Sequence, residues 1–320
     1  MKIKFTKLPT TDGIIKISLD GGQSFTDYNV VDVHESGIPL EDSQDYEKIQ
    51  VKAPANVLKN LDVVSSVKVE GEGAGTGSTN EPFLITDTDT YGFEFPECVN
   101  GIIIPNGMTT IGKNVFSTYP NLQTVVIPES VTSICNGAFH GCSKLTSITI
   151  PEDVTSIGER AFQNCYGLTS ITIPDSVTSI GDYAFYYCRS LTSITIPESV
   201  TSIGNSAFKG CSSLTSITIP YSVTSISDCT FQGCSSLTSI TIPEGVTEIG
   251  TYTFYYCSSL TSITIPESVT KIGNYAFGYC ESLKTINYAG TEEQWNAIIK
   301  APYWQYGTSF NNVIYNYKPE

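Results

Sequence analysis

The sequence predicts a mainly β fold in which about eight similar coils stack into a solenoid, preceded by a small β domain. The main observation is a strict repeat, because proline, phenylalanine and leucine each return every 23 residues. The second observation is a series of short β-like runs near the N-terminus that lacks this period. A fixed period of 20–50 residues is typical of solenoids. The prolines that mark the period are Pro105, Pro128, Pro151, Pro174, Pro197, Pro220, Pro243 and Pro266.

One repeat shows how each coil is expected to form. Leu191, Ile194 and Ile196 follow the pattern L-x-x-I-x-I, the signature of a leucine-rich-repeat strand. Pro197 cannot donate a hydrogen bond to a ladder, so the strand ends there. Gly204 allows the tight bend after a second short extended piece. The segment Ala-Phe-x-x-Cys then suits one helical or 3₁₀ turn that closes the coil.

The chain divides into four predicted parts. Residues 1–70 contain strand-like runs such as GIIKISL and EKIQVKA, with a hairpin turn signal at LDGGQSF, and form the small β domain. Residues 71–81 form a flexible linker, because small and polar residues dominate them. The leucine-rich-repeat solenoid covers 82–287, and residues 288–320 form a cap over its last coil.

A short helix is expected in the cap. The Thr-x-x-Gln pair in TEEQWNAIIK is a capping box, and the two glutamates suit a helix N-terminus. Trp295, Ile298 and Ile299 are expected to form the apolar stripe of this helix, and Pro302 to end it. The run NNVIYNY then predicts a final strand.

The 23-residue phrase I-T-I-P-E-S-V-T-S-I-G-x-x-A-F-x-x-C-x-x-L resembles the repeat of the BspA-like leucine-rich-repeat proteins, a bacterial surface-protein type also found in some protozoa. The resemblance covers about 100–287, and YAGTEEQWNAI is similar to caps in that family. It implies a curved, non-enzymatic solenoid that serves adhesion and protein binding at the cell surface.

Net charge and hydropathy limit the partners. The formal net charge is −15, and a body so acidic is repelled by phosphate backbones and anionic lipids, so no nucleic acid partner is expected. No run of about 18 apolar residues is present, so direct membrane insertion is not expected. The N-terminal MKIKFTKLPTTDG lacks the apolar run of a secretory signal. The expected location therefore stays open between the cell surface, a virion and the cytoplasm.

Seven cysteines share one column, and they are expected to form a ladder of buried thiols that pack the core. Parallel Cβ atoms about 4.8 Å apart are too distant for a disulfide, which needs about 3.8 Å. A single column cannot surround zinc, and a row of exposed carboxylates is a weak calcium site. No metal or cofactor is therefore predicted. The column contains Cys142, Cys165, Cys188, Cys211, Cys234, Cys257 and Cys280.

Two sets of side chains are candidates for contact with a partner. The outward strand face repeats Ser-x-Thr, and such hydroxyl rows can contact a glycan or a protein, or can simply pair across strands. The slots flanking Ala-Phe vary between coils and collect tyrosine, which gives rigid amphipathic contact area, although neutral variation would leave a similar pattern. The candidates are Tyr183, Tyr186, Tyr187, Tyr252, Tyr255, Tyr256, Tyr275, Tyr279, Ser193, Thr195, Ser216 and Thr218.

The expected function is binding without catalysis. Enzymes need a few unlike groups that converge at one point, whereas this chain offers like groups in rows. We therefore expect a non-enzymatic, adhesin-like repeat protein whose ligand is a protein or a glycan surface. The alternative is a structural or receptor-binding component of a particle such as a phage virion.

Overall fold

The computed structural model describes residues 100–318 except 105, 118 and 311, together with six strands that lie earlier in the chain. Strands β2, β3 and β5 form an antiparallel sheet, and β1 pairs with β4. The predicted hairpin at LDGGQSF is confirmed, because Ile17 pairs with Thr26 on either side of it. The six strands are β1 (Lys2–Ile3), β2 (Ile14–Ser18), β3 (Thr26–Asn29), β4 (Ile38–Pro39), β5 (Gln50–Lys52) and β6 (Phe83–Leu84).

The limits proposed for the small β domain rest on the sequence. The predicted linker at 71–81 and the predicted strand at SVKVEG lie outside the described residues. The parallel pairing of the solenoid is already present at β6, where Phe83 pairs with Ile102.

The mainly β solenoid is confirmed, with about nine turns built from two parallel sheets. The first sheet contains β6, β7 (Gly101–Ile103), β9 (Thr124–Val126), β11 (Ser147–Thr149), β13 (Ser170–Thr172), β15 (Ser193–Thr195), β17 (Ser216–Thr218), β18 (Ser239–Thr241), β20 (Ser262–Ile265), β22 (Thr285–Tyr288) and β24 (Asn312–Ile314). The second contains β8 (Thr110–Ile111), β10 (Ser133–Ile134), β12 (Ser156–Ile157), β14 (Ser179–Ile180), β16 (Ser202–Ile203), β19 (Glu248–Ile249), β21 (Lys271–Ile272) and β23 (Ile299–Lys300).

The register of the sheets follows the repeat of the sequence. Ile194 pairs with Ile217, 23 residues on, and the neighbouring Ser193 pairs with Ser216. Period-2 alternation places the isoleucines inside and the hydroxyl residues outside, as the burial pattern of β15 shows. The column phenylalanines are fully buried from Phe116 to Phe277, and successive rings lie 5.2–5.8 Å apart.

The column cysteines are free and buried, so the predicted thiol ladder is confirmed. Each thiol also donates a hydrogen bond to the carbonyl oxygen of the phenylalanine in the preceding coil. The Sγ of Cys165, for example, lies 3.2 Å from the carbonyl oxygen of Phe139. The ladder therefore connects coils through polar contacts as well as apolar packing.

A glycine column sets how closely the coils approach. A Cβ on Gly204 would lie 2.5 Å from the backbone nitrogen of Asp182 in the coil before. Two coils carry a side chain there, Cys135 and Ser227. The phenylalanine ladder is disturbed at these two interfaces, with a 23° tilt between the rings of the first and the widest spacing, 5.8 Å, at the second. Both sheets are interrupted at the second interface, after β16 and after β17.

The last turn of the solenoid contains helix α1 (Glu292–Ala297), and its predicted capping box is present. The helix ends at Ala297, so the expectation that Pro302 ends it is wrong. The reason is that Ile299 and Lys300 form β23, which extends the second sheet. Trp295 and Ile298 are buried as predicted, whereas Ile299 is 70% exposed and does not belong to an apolar stripe. The predicted final strand is confirmed as β24, which pairs with β22.

Candidate binding surfaces

The turn that closes each coil contains two positions with left-handed backbone, one before Ala-Phe and one before the column cysteine. Glycine occupies some of them, as Gly137 does with φ of 65° and Gly210 with φ of 75°. Tyrosine occupies others, as Tyr183 does with φ of 57° and Tyr187 with φ of 56°. An L-residue in this region costs roughly 1–2 kcal/mol, whereas glycine adopts it readily.

Most of the predicted contact tyrosines occupy these strained positions. Unconstrained variation there would favour glycine or asparagine, so tyrosine needs an offsetting gain from ring packing or from a partner. Tyr186 and Tyr255 are the exceptions and lie between the two positions of their turns. The predicted tyrosines with left-handed backbone are Tyr183, Tyr187, Tyr252, Tyr256, Tyr275 and Tyr279.

The first tyrosine group lies in the middle of the solenoid. The ring of Tyr186 is edge-on to both neighbours, with centroids 5.6 Å from Tyr183 and 4.3 Å from Tyr187. The ring of Tyr187 lies over Gly210 of the next coil, where an added Cβ would meet it at 2.1 Å. Small residues in the following coil therefore allow the rings to lie along the surface.

Three cations cover these rings. Cations favour the negative face of an aromatic ring, and both arginines of the chain are found here. We call this set the Arg–Tyr cluster: Tyr183, Tyr186, Tyr187, Arg160, Arg189 and Lys209. The contacts to ring centroids are Arg160 over Tyr183 at 5.1 Å, Arg189 over Tyr166 and Tyr187 at 5.0 Å each, and Lys209 over Tyr186 at 5.8 Å.

The second group, the C-terminal tyrosine cluster, stacks its rings from coil to coil. Tyr252 and Tyr275 are 5.2 Å apart and nearly parallel, and Tyr256 and Tyr279 are 4.8 Å apart. A flat group inserted between two rings would need about 7 Å, twice the contact distance of ~3.5 Å. A partner therefore meets ring edges and hydroxyls rather than ring faces. The cluster comprises Tyr252, Tyr255, Tyr256, Tyr275, Tyr279, Tyr303 and Tyr306.

The tyrosines of both groups are neutral hydrogen-bond donors at physiological pH. Burial, a hydrogen bond with Tyr256 and neighbouring phenols raise the pKa of Tyr255 to about 12. Burial and contact with Tyr187 likewise raise the pKa of Tyr186. These phenols therefore present O–H groups to acceptors on a partner.

The Ser-x-Thr face presents hydroxyls of a different kind. Ser193, Thr195, Ser216 and Thr218 are exposed, and among the described residues their hydroxyls make no hydrogen bond to protein. The hydroxyl columns beside them are already used, since Thr192 donates to a backbone carbonyl of the preceding coil. Cross-strand pairing of these outward hydroxyls is thus not what occupies them, and they remain available to a ligand.

The structure divides the predicted contact residues among three places. The hydroxyls lie on the strands of the first sheet, and the tyrosines lie on the turns that follow the second sheet. Two coils without tyrosine in the variable slots separate the Arg–Tyr cluster from the C-terminal tyrosine cluster. These calculations from the repeat did not include Tyr303 and Tyr306, because the last turn is longer and they follow a spacing other than 23 residues.

Among the residues that the structure describes, no group of three or more His, Cys, Asp or Glu side chains could hold a metal ion. The carboxylate column is exposed, and Glu198 accepts a hydrogen bond from the backbone nitrogen of Tyr221. His140 contacts the hydroxyl of Ser117 at 3.3 Å, and burial lowers its pKa. Within the same residues, no helix has the length and apolar character that a bilayer span requires.

Comparison with known proteins connects this geometry to a family. The model of the BspA type leucine rich repeat region matches in six copies over residues 85–190 and 178–297. A leucine rich cell surface protein from Faecalibacterium prausnitzii is 34% identical, with 67% of this chain and 68% of that chain covered and a TM-score of 0.46. No curated protein matches the chain.

Two further solved structures are similar over the repeats. A leucine-rich repeat protein from Bacteroides ovatus is 28% identical, with 65% of this chain and 64% of that chain covered and a TM-score of 0.55. The leucine rich repeat protein of T. pallidum is 29% identical, with 59% and 86% covered and a TM-score of 0.48. The chain thus spans about two thirds of the length of the first two. The family model covers more than half of the chain, and the chain belongs to the BspA-type leucine-rich-repeat proteins.

Proposed function

We propose that this protein is a non-enzymatic binding protein of the cell surface whose turn tyrosines contact a protein partner. The observation that carries the proposal is the placement of six tyrosines in left-handed backbone. Each such residue is strained relative to glycine, and tyrosine is a side chain enriched at protein–protein contacts.

The form of the tyrosine surface supports a protein partner. The rings are held by neighbouring rings, as Tyr275 is between Tyr252 and Tyr303, at 5.2 and 5.5 Å. Side chains held in place before binding lose little entropy when a partner docks. Tyr256, Tyr303 and Tyr306 remain 48–60% exposed, so contact area is available.

The comparisons support a location outside the cell. The protein from Faecalibacterium prausnitzii is described as a cell surface protein, and the family model covers the same repeats. Antibody labelling of intact and of lysed cells tests this location. Signal from lysed cells alone would contradict it.

The repeat itself supplies well-matched variants for a binding test. Tyr187→Asn places the residue of Asn164, and Tyr186→Gln places the residue of Gln163, in the same columns. A second variant, Thr195→Val with Thr218→Val, alters only the hydroxyl face. A third, Tyr256→Asn with Tyr279→Asn, alters only the C-terminal tyrosine cluster.

The four proteins are compared on an array of purified secreted and surface proteins and on a glycan array. The proposal expects the full chain to retain at least one arrayed protein, and one of the two tyrosine variants to lose it by tenfold or more. Equal retention by both tyrosine variants, together with loss in the hydroxyl variant, would overturn the tyrosine assignment. Retention of glycans alone would overturn the choice of a protein partner.

A further inference from the structure

Positive charge is concentrated at the Arg–Tyr cluster of an otherwise acidic chain, whose net charge is −15. Arg160 pairs with Glu159 beside it. Among the described residues, Arg189 and Lys209 form no ion pair with a carboxylate. The nearby carboxylate of Asp182 is occupied, since it accepts a hydrogen bond of 2.7 Å from the backbone nitrogen of Asn205.

The next acidic side chain along the turns is occupied in the same way. Asp228 accepts a hydrogen bond of 2.7 Å from the backbone nitrogen of Thr251. The acids of this surface therefore serve the backbone, while the cations of two successive coils point their charge to solvent. Arg189 is exposed, and its guanidinium is held between the rings of Tyr166 and Tyr187.

The contacts of the rings limit what can bind them. A neutral sugar or a nucleic acid base stacks on a free aromatic face. Here Arg160 lies over one face of Tyr183 and Lys209 over one face of Tyr186. What remains available is the N–H fork of Arg189, the ammonium of Lys209 and the phenol O–H groups. All of these are donors, so the surface suits a ligand rich in anionic and carbonyl acceptors.

We infer that the Arg–Tyr cluster binds an extended acidic peptide segment, with carboxylates on Arg189 and Lys209 and main-chain carbonyls on the tyrosine hydroxyls. This inference rests on the proposed function, because it names the kind of protein segment that this part of the surface accepts. A planar guanidinium held between two rings is well placed to bind a carboxylate with two parallel hydrogen bonds.

The spacing of the coils fits such a segment. The phenylalanine rings of the three coils that carry Arg160, Arg189 and Lys209 are separated by 5.5 and 5.4 Å. An extended chain rises ~3.3 Å per residue, so about four residues cover these coils. Because charges are screened beyond about 8 Å at physiological salt, the local cations outweigh the distant net charge for so short a ligand.

The first experiment selects random dodecapeptides displayed on phage against the immobilised full chain. The result expected is at least a twofold enrichment of Asp and Glu over the starting library. Affinity of a selected peptide, measured by fluorescence anisotropy, is expected to fall at least tenfold when its Asp and Glu are replaced by Asn and Gln. Absence of both effects would overturn the inference.

The second experiment uses variants whose new residues already occur in the same columns. Arg189→Ser places the residue of Ser212, and Lys209→Gln places that of Gln232. The double variant R189S/K209Q is expected to weaken the acidic peptide at least tenfold, and Arg189→Lys to weaken it about threefold because the fork is lost. The matched control K271S/K284T removes two positive charges elsewhere and is expected to change affinity less than twofold.

The outcomes separate this inference from the proposed function. Peptides that depend on Tyr186 and Tyr187 but carry no excess of acids would overturn the acidic ligand and leave a protein-binding surface. Equal binding by R189S/K209Q and the control would also overturn it. Retention of a sulfated hexasaccharide without selection of acidic peptides would assign the cations to a glycan and overturn the peptide.

Discussion

The hydroxyl of Thr308 donates a hydrogen bond of 2.5 Å to the carbonyl oxygen of Phe277. In the preceding coils a cysteine thiol makes this contact, as Cys280 does with Phe254 at 3.0 Å. Thr308 also accepts a hydrogen bond from the backbone nitrogen of Cys280. The last turn therefore ends the thiol ladder with a hydroxyl that is both donor and acceptor, and leaves neither backbone group unpaired.

Replacement of Thr308 by valine should uncouple the last turn. The change keeps the shape but leaves the carbonyl of Phe277 and the amide of Cys280 without partners, at a cost of about 1–3 kcal/mol for a buried polar group. Urea unfolding should show this loss, and hydrogen exchange of the Cys280 amide should accelerate. Thr308→Ser keeps the hydroxyl and should retain the protection of that amide. Equal exchange in all three proteins would contradict the role given to Thr308.

The glycine column gives a prediction about coil spacing. A Cβ on Gly181 would lie 2.6 Å from the backbone nitrogen of Glu159, so Gly181→Ser must push two coils apart. We expect a loss of about 1–3 kcal/mol, as overpacking causes. The reverse change, Ser227→Gly, removes the side chain at the widest interface of the phenylalanine ladder and should not destabilise the protein. Both are measured by urea unfolding, and a Gly181→Ser protein as stable as the parent would refute the spacing argument.

The buried thiols predict loss of stability at alkaline pH. Burial raises the pKa of Cys234 to about 12, from a model value of 9.0, and raises that of Cys188 as well. Below about pH 9 a thiol is protonated in both the folded and the unfolded chain, so its contribution is fully present. Above that pH only the unfolded chain releases the proton, and unfolding becomes easier by up to ~1.4 kcal/mol per pH unit for each thiol.

Urea unfolding between pH 7 and pH 11 tests this. Cys188→Ala removes one such thiol and should make the alkaline decline shallower by up to ~1.4 kcal/mol per pH unit, although it lowers stability at pH 7. Tyrosines with raised pKa values, such as Tyr255, contribute the same decline in both proteins and cancel in the comparison. Parallel declines would show that the thiols do not titrate as their burial requires.

The period of the sequence was sufficient to predict the solenoid, its inward columns and the thiol ladder. These follow from local alternation and from the stacking of identical phrases, and Ile194 and Ile217 pair as the repeat requires. The strained backbone of the tyrosines was also within reach. Gly137 and Gly210 occupy the same columns as Tyr183 and Tyr187, which is a signal of left-handed geometry that sequence reasoning did not use.

The contacts of the arginines could not be obtained in this way. Arg189 meets Tyr166 across two coils, and this depends on the offset of neighbouring coils and on rotamers rather than on spacing along the chain. The end of α1 was missed for a related reason. Local sequence allows the helix to continue towards Pro302, but pairing of Ile299 with Lys271 draws the chain into the second sheet.

If tyrosine occupies left-handed positions for binding rather than for folding, its replacement should leave the fold intact. Tyr187→Asn relieves about 1 kcal/mol of backbone strain while it removes the ring contact with Tyr186, so the net change in unfolding free energy should stay within about 1 kcal/mol. The neighbouring core change Phe185→Ala should cost about 3–5 kcal/mol. Urea unfolding compares the two directly. A loss for Tyr187→Asn as large as that for Phe185→Ala would show that the ring serves the fold, and the argument from strain to binding would then fail.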